Sequence, residues 1–562
     1  MARLSKKDVV IVGMGAAGGT AAYVLTKAGL DVVGIEAGPR LTNADFLKRL
    51  DEIGEDFSIR NSLGGPKFNR EIPTWRANVD TPTSPPIAVG MANCVGGSTV
   101  HFTGQYWRFL ESDFAIHSET VKRYGAGKLP AGARVRDWPV SYKELEPYYD
   151  KVEYQLGVSG QAGANPFEAP RTRGFPNPPL QRFGVGELMS GAMKKMGYHP
   201  FPQPAAILSR DYEGRPGCSY CGFCTTGYGC WNNSKSSTLV TSIAAAEKTG
   251  KLEIRPNSRV MEIMTDRDGR VSGVKYLDHK GRMQEQPARF VIIGTYVFEN
   301  TRLLLLSKSK AHPHGLSNNH DQVGKGYIAQ TTVGVNGVLP GKKLNIWAGT
   351  ASQGTVIDDF NGDNFDHRGL DFIRGATIST SCYSMPIGQA VNTPPSVGLW
   401  GSAYKQWLHE NAGSIVSLGA QMETLPYEAN FIDLDPVKKD DLGVPVTRLT
   451  FDLYDNEKNM AAYMTEKMKP ILESIGVSEI WGGGAPSRIP VYSHTYGGTV
   501  MGNDADTSVV NKYSISHEVP NLAIMGGSTF LNATGYNPTE TLQAVAWYGA
   551  DHIVKHFDSI AA

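Results

Sequence analysis

Apolar residues change their period along the chain, and the changes mark its elements. DVVIVG (Asp8–Gly13) is a short β-branched run of the kind buried on both faces of a sheet. MGAAGG follows, then TAAYVLTKAGL with apolar positions at helical spacing, then a second β-branched run in DVVGIEAG (Asp31–Gly38). Strand, glycine turn, helix and strand predict a βαβ unit with a right-handed crossover, so the chain opens on a parallel sheet. The stretch Leu252–Asp278 alternates and carries an Asp268-Gly269 turn, which predicts antiparallel hairpins. FVIIGTYVFENTRLLLLS (Phe290–Ser307) predicts a buried strand passing into a helix. PTETLQAVAWYGADHIVKHF (Pro538–Phe557) predicts an amphipathic helix with proline at its start. Residues 159–181 are too rich in Pro and Gly for regular structure, and 356–370 are polar and turn-rich. The region 340–480 lacks a βα rhythm and predicts a separate antiparallel α+β unit.

The length of 562 residues suits three or four domains, or two large ones. The 63 glycines exceed the roughly 40 expected at ~7% usage. That excess is too small for a fibrous protein and marks sites of sharp turning or close backbone approach. Lys+Arg and Asp+Glu are equal at 55 each, so no basic footprint points to nucleic acid or anionic lipid. No apolar run approaches the ~18 residues of a membrane span. The basic start MARLSKK followed by apolar residues superficially resembles a signal peptide, but the run ends at the glycine motif and reads as a strand. The expectation is a soluble chain without its own signal peptide and without direct membrane insertion.

Gly13-Met-Gly15-Ala-Ala-Gly18 lies between the first strand and the first helix. The first glycine permits the tight turn, and the second lets backbone approach a pyrophosphate. The third lets helix and strand pack closely, while the helix N-terminus faces negative charge. Glu36 ends the next strand, 21 residues beyond Gly15, where an acid accepts hydrogen bonds from ribose hydroxyls. Together these predict dinucleotide binding, and the motif alone does not separate NAD from FAD.

Four of the six cysteines fall within thirteen residues: Cys218, Cys221, Cys224 and Cys230. Clustering points away from loop-closing disulfides. Successive gaps of two resemble the start of a ferredoxin-type ligand run, although the fourth cysteine follows after five residues and Trp231 stands where proline is usual. Zinc ribbons hold two CxxC knuckles well apart and fit less well. Structural cysteines, reduced or disulfide-bonded, are the third reading. Cys94 and Cys382 read as buried bystanders.

Glu36-Ala-Gly-Pro39, Val95-Gly-Gly-Ser-Thr99, His494-Thr-Tyr-Gly-Gly-Thr-Val-Met-Gly502 and Asn537-Pro-Thr539 together resemble the glucose–methanol–choline (GMC) oxidoreductase family. The resemblance spans nearly the whole chain. Asp137-Trp-Pro-Val-Ser-Tyr-Lys-Glu-Leu-Glu-Pro-Tyr-Tyr149 and the cysteine run narrow it to the branch of gluconate 2-dehydrogenase and related sugar dehydrogenase flavoprotein subunits. Two places depart from the family pattern. Gly294-Thr-Tyr-Val-Phe-Glu299 stands where relatives commonly have Ala-Ala-Gly or Ala-Asn-Gly before Ile-Glu-Thr, and Gly526-Gly-Ser528 where many have Asp-Ala-Ser.

The resemblance implies an α/β, Rossmann-like FAD-binding domain of the GMC type, from residues 1–110, 205–335 and 487–562, which includes the cysteine segment. It implies a discontinuous α+β substrate-binding domain on an antiparallel sheet, from 111–204 and 336–486. Cofactor contacts are expected from Gly13, Gly15, Gly18, Glu36, Gly96, Gly97, Ser98, His101, Val260, Gly527, Pro538 and Thr539. His101 matches the histidine that some members attach covalently to FAD, while elsewhere this residue only lines the flavin. His494 is the implied base, and Asn537 the implied hydrogen-bonding partner of the substrate hydroxyl. Asn537 also precedes Pro538, so it is a candidate cap of the last helix.

The implied activity is FAD-dependent oxidation of a hydroxyl of a sugar, glycoside or sugar acid, with hydride passing to flavin N5. Electrons would leave through an iron–sulfur cluster, three-iron or four-iron, on Cys218, Cys221, Cys224 and Cys230, to a cytochrome or quinone. Other readings are a glycoside 3-dehydrogenase or 3-oxidase acting on a ring hydroxyl, and an oxidase using oxygen with structural cysteines. A redox-inactive flavoprotein assembly subunit is a reading of a different class, and retention of both His494 and Asn537 weighs against it. Implied partners are a small maturation subunit and a cytochrome c subunit. Co-export with the small subunit would place the chain in the periplasm; otherwise it is cytoplasmic.

Overall fold

A computed structural model describes residues 2–47, 73–84, 92–224, 229–344, 348–381, 389–486 and 494–562. Strand β1 (Lys7–Val12), helix α1 (Ala16–Lys27) and strand β2 (Val32–Ile35) form the opening βαβ unit. Val9, Val10, Ile11, Val32 and Val33 are all fully buried, as expected of strands covered on both faces. The parallel sheet runs Leu252–Arg255, β2, β1, β3 (Met283–Ile293), Leu522–Ile524.

Strand β3 belongs to two sheets. Its C-terminal half pairs in parallel with β1, while its N-terminal half pairs antiparallel with Val271–Leu277, which in turn pairs with Arg259–Thr265. Pro287 marks the change of partner, since the parallel ladder begins at Ala288 and the antiparallel one ends at Pro287 opposite Gly273. A proline donates nothing to a ladder, so this is a position where it is tolerated. Gly273 has a φ of +148°, and a Cβ there would lie 2.3 Å from the Gln286 carbonyl. The turn at Asp268-Gly269 forms as the sequence predicts. Leu252–Arg255 departs from the hairpin expectation: it pairs with β2 at the edge of the parallel sheet, and Pro256 then breaks it from the following strand.

A second sheet is six-stranded and antiparallel. Its order is Glu479–Gly482, β4 (Thr331–Val338), β5 (Ile415–Met422), Ala376–Ser381, Thr355–Ile357 and Phe201–Pro202. Along β5 the buried residues Val416, Leu418, Ala420 and Met422 share one face with Met460, Met464 and Met468 of the helix Asp455–Ser474. Ser417, Gly419 and Gln421 therefore project from the other face. The hairpin Phe431–Lys439/Pro445–Thr450 stays outside this sheet and pairs with Thr74–Arg76. Helix α2 (Val297–Leu306) follows β3 and packs on this hairpin through Val297 and Phe298.

The last helix, α3 (Thr539–Ile560), lies on α1, with Gln543 Nε2 donating to Thr20 Oγ1 at 3.0 Å and Trp547 edge-on to Tyr23. No helix among the described residues is long and apolar enough to cross a membrane.

Candidate active site

Ligands of open parallel sheets bind beyond the carboxyl ends of the strands. Here four such ends build one wall. Val12 is followed by Gly13 and Gly15, Ile35 by Glu36, Ile293 by Gly294 and Thr295, and Ile524 by Gly526 and Gly527. Val12, Ile35 and the residues that follow the four strands line a cavity of about 470 Å³.

Gly13 has a φ of +87°, and a Cβ on Gly18 would sit 2.0 Å from the Gly13 carbonyl oxygen. The third glycine of the motif is thus the contact that lets α1 press against β1, and Gly18 itself does not reach the cavity. Gly15 begins α1 with no side-chain cap, so the first-turn N–H groups of a helix face the cavity beside Ala16 and Ala17. That is the donor set that a pyrophosphate requires. Across the cavity Gly97 approaches so closely that a Cβ on it would lie 2.8 Å from the Gly15 Cα. Gly96 anchors this loop, its N–H donating to the Met14 carbonyl at 2.8 Å, and stays behind the wall.

Glu36 is buried, and its two oxygens accept from the N–H groups of Met14 and Gly38, each at 2.9 Å. Burial outweighs these donors and pushes its carboxyl up to about 7. Ser98, Val260, Pro538 and Thr539 also line the cavity.

His101 lines the cavity with its Nε2 shut from solvent and without a hydrogen-bond partner among the described residues. Burial, followed by the nearby Lys235 ammonium, pushes it down to about 4, so it is a neutral imidazole. An orphaned nitrogen of this kind requires a partner from whatever fills the space. The helix N-terminus, the glycine cradle, Glu36 and this nitrogen fit FAD.

His494 and Asn537 meet at the cavity wall although they lie on separate segments. His494 precedes the short strand Thr495–Tyr496, which pairs antiparallel with Ile328–Ala329. Asn537 precedes α3, whose cap position is Pro538 with no side-chain cap. The capping role expected of Asn537 is therefore corrected: its amide is turned away from the helix. Asn537 Nδ2 lies 3.2 Å from His494 Nε2. His494 Nδ1 lies 2.6 Å from Gln330 Oε1. Desolvation pushes His494 down to about 4, so it is an unprotonated base at neutral pH.

The two segments that depart from the family pattern also meet here. Asn300 Nδ2 donates to the Met525 carbonyl at 3.2 Å and to Ser528 Oγ at 2.8 Å, while its Oδ1 accepts from the Thr295 N–H at 2.9 Å. One buried amide thus stitches the Gly294 turn to the Gly526-Gly-Ser528 loop. Gln330, Gln421 and Asn300 carry no motif, and isolated amides in unpatterned stretches gave no signal to find them.

The cysteine run lies off the cavity wall. The Cys218 and Cys230 sulfurs accept from the backbone N–H groups of Tyr220 (3.3 Å) and Lys235 (3.4 Å), and Lys235 Nζ reaches the carbonyl of cavity-lining Phe102 at 2.8 Å. Burial pushes the Cys218 thiol up to about 11 and the buried Cys224 thiol higher, and the neighbouring thiols add to both shifts. Cys221 is exposed. The thiol chemistry suits a soft metal. Among the described residues, however, no three His, Cys, Asp or Glu side chains converge to hold one. As described, the run does not form a metal centre. Cys94 is fully buried, and Cys382 lies outside the described residues.

The family model described as GMC oxidoreductase matches residues 132–332 with its N-terminal part and 426–546 with its C-terminal part. The gluconate 2-dehydrogenase flavoprotein of Pantoea cypripedii is 33% identical, across 99% of this chain and 94% of that protein. The fructose dehydrogenase large subunit of Gluconobacter japonicus is 29% identical across 98% of each. Among solved structures, formate oxidase of Aspergillus oryzae RIB40 shares the fold with a TM-score of 0.64 at 14% identity, covering 99% of both chains.

Proposed function

The chain belongs to the GMC oxidoreductase family, an FAD-binding oxidoreductase of CH–OH groups, and on that premise we propose that it is a dehydrogenase of a sugar, glycoside or sugar acid. The observation that carries the proposal is the His494–Asn537 pair, with an imidazole nitrogen and an amide donor 3.2 Å apart on the cavity wall.

Bound FAD would supply the acceptor for the hydride leaving the carbinol carbon. The chain's own part is the rest. The α1 N-terminus and the Gly13–Gly18 turn would hold the FAD pyrophosphate, Glu36 would accept from ribose hydroxyls, and Gly97, Ser98 and His101 would line its binding cavity. His494 Nε2 takes the proton of the substrate hydroxyl, and Asn537 Nδ2 donates to that oxygen as it gains negative charge. The α3 N-terminus, a few residues on, favours negative charge in the same region.

The fuller reading adds an iron–sulfur cluster that Cys218, Cys221, Cys224 and Cys230 would hold and that would supply one-electron transfer to a cytochrome or quinone. It is supported by four thiols within thirteen residues and by the Lys235 link from Cys230 to Phe102. It also includes a small maturation subunit, a cytochrome c subunit and co-export to the periplasm. A second reading, an oxidase with structural cysteines, is favoured by the lack of three converging metal ligands among the described residues. Iron analysis and EPR of protein purified anaerobically with its partners decide between the two.

The proposal is tested by anaerobic titration of the FAD-loaded chain with D-gluconate, D-fructose, D-glucose and their glycosides. Bleaching of the flavin by at least one of them is expected. A fully loaded protein that none of them reduces would overturn it.

A further inference from the structure

A base at position 494 works only if the nitrogen facing the substrate carries the lone pair, and the hydrogen bonds of Gln330 and Gln421 bear on which nitrogen that is. Gln330 Nε2 donates to the carbonyl of Thr534 and, at 3.4 Å, to that of Tyr536. Carbonyls only accept, so the NH₂ side of this amide must face them and Oε1 must face His494 Nδ1. Oε1 also only accepts. The hydrogen in the 2.6 Å contact therefore belongs to Nδ1, and Nε2 is left with the lone pair.

An independent chain of contacts reaches the same nitrogen from the other side. Gln421 Nε2 donates to the Gly535 carbonyl at 3.2 Å and to Asn537 Oδ1 at 3.4 Å. The Gly535 carbonyl fixes the orientation of Gln421, Gln421 then fixes that of Asn537, and Asn537 Nδ2 is left facing His494 Nε2. An Nε2–H, whether in the other tautomer or in an imidazolium, would oppose this donor. Both glutamines are placed by the sheet. The Gln330 N–H donates to the His494 carbonyl at 3.0 Å, extending the Ile328–Ala329/Thr495–Tyr496 ladder, and Gln421 projects from the site face of β5.

We propose that Gln330 and Gln421 are positioning residues, anchored on the successive carbonyls of Thr534, Gly535 and Tyr536, that lock His494 as the Nδ1–H tautomer and turn the Asn537 amide nitrogen toward His494 Nε2. The inference rests on the reading of His494 and Asn537 as the reacting pair for its catalytic meaning, but not for its test. The 534–536 turn thereby sets the protonation pattern of a histidine some forty positions earlier in the chain. Glutamine suits position 330 because it donates to the carbonyls and accepts from the ring at once. A glutamate would leave the carbonyls unmatched and favour the imidazolium.

The test is side-chain ¹⁵N NMR of the chain labelled at histidine, with the His494 signals identified by their loss in His494→Ala. The expected wild-type pattern has Nδ1 in the protonated, pyrrole-type range and Nε2 in the unprotonated, pyridine-type range. Gln330→Met should mix the tautomers. Gln330→Glu should move the His494 titration midpoint upward by about 1–3 units. A wild-type Nε2–H tautomer overturns the inference, and so does an unchanged titration in Gln330→Glu. The Nδ1–H tautomer found together with a fully active His494→Ala would support this inference while defeating the catalytic reading.

Discussion

The Tyr536 hydroxyl donates to Asp358 Oδ2 at 2.5 Å, and its ring stacks on Trp107 with centroids 4.8 Å apart and planes 8° from parallel. Asp358 also accepts from Asn165 Nδ2 at 2.6 Å and Thr377 Oγ1 at 3.0 Å, so the residue before Asn537 is tied to a buried carboxylate on the antiparallel-sheet side.

Tyr536→Phe keeps the stacking and removes the donor. It should cost about 1.5–3 kcal/mol while Asp358 is ionised, the range for a hydrogen bond to a charged group. Burial pushes Asp358 up to about 6, so the loss measured by chemical denaturation should be larger at pH 8 than at pH 5. An equal loss at both would mean that the carboxylate does not hold this loop.

Arg374 is fully buried and donates from Nε to Glu423 at 2.7 Å and from Nη1 to Asp363 at 3.1 Å, while Nη2 reaches Asp113. Glu423 follows β5 directly, so this centre fixes the end of the strand that carries Gln421. Arg374→Met fits the volume but leaves three carboxylates buried without their cation. A loss of about 3–5 kcal/mol in denaturant unfolding is expected. The flavin should still be reduced in whatever fraction remains folded.

Glu36 gives a pH prediction for the chain without FAD. Its folded pKa, about 7, lies above its ordinary value of 4.5. A raised carboxyl favours the folded state fully below the unfolded pKa, and this contribution is lost as pH rises through the folded one. Replacement by Gln should therefore flatten the decline in apo-protein stability between about pH 4.5 and 7, by roughly 3 kcal/mol in all. Parallel stability curves for the wild type and Glu36→Gln would refute the shift.

The opening βαβ unit, the Gly13–Gly18 turn and α3 were legible because each is written in consecutive residues with a local period. The same holds for His494 and Asn537 once a family pattern supplies them. What was not legible arises from long-range assembly. Leu252–Arg255 shows the alternation of a hairpin strand, and only the edge position beside β2 decides its partner. The Phe431–Thr450 hairpin pairs with Thr74–Arg76, far away in sequence. Gln330 lies 164 residues from His494 and Gln421 lies 116 from Asn537, so no spacing rule links either pair.

The central claim is that His494 removes the proton of an alcohol whose hydride reduces the flavin. Stopped-flow reduction under anaerobic conditions, with the sugar or sugar acid that reduces the wild type fastest, compares wild type, His494→Ala and Asn537→Ala at equal FAD content. The account predicts that His494→Ala abolishes reduction, that Asn537→Ala slows it about 10²–10³-fold, as for loss of one oxyanion donor, and that the wild-type rate stays level down to about pH 5. His494→Ala reducing its flavin at the wild-type rate would contradict it.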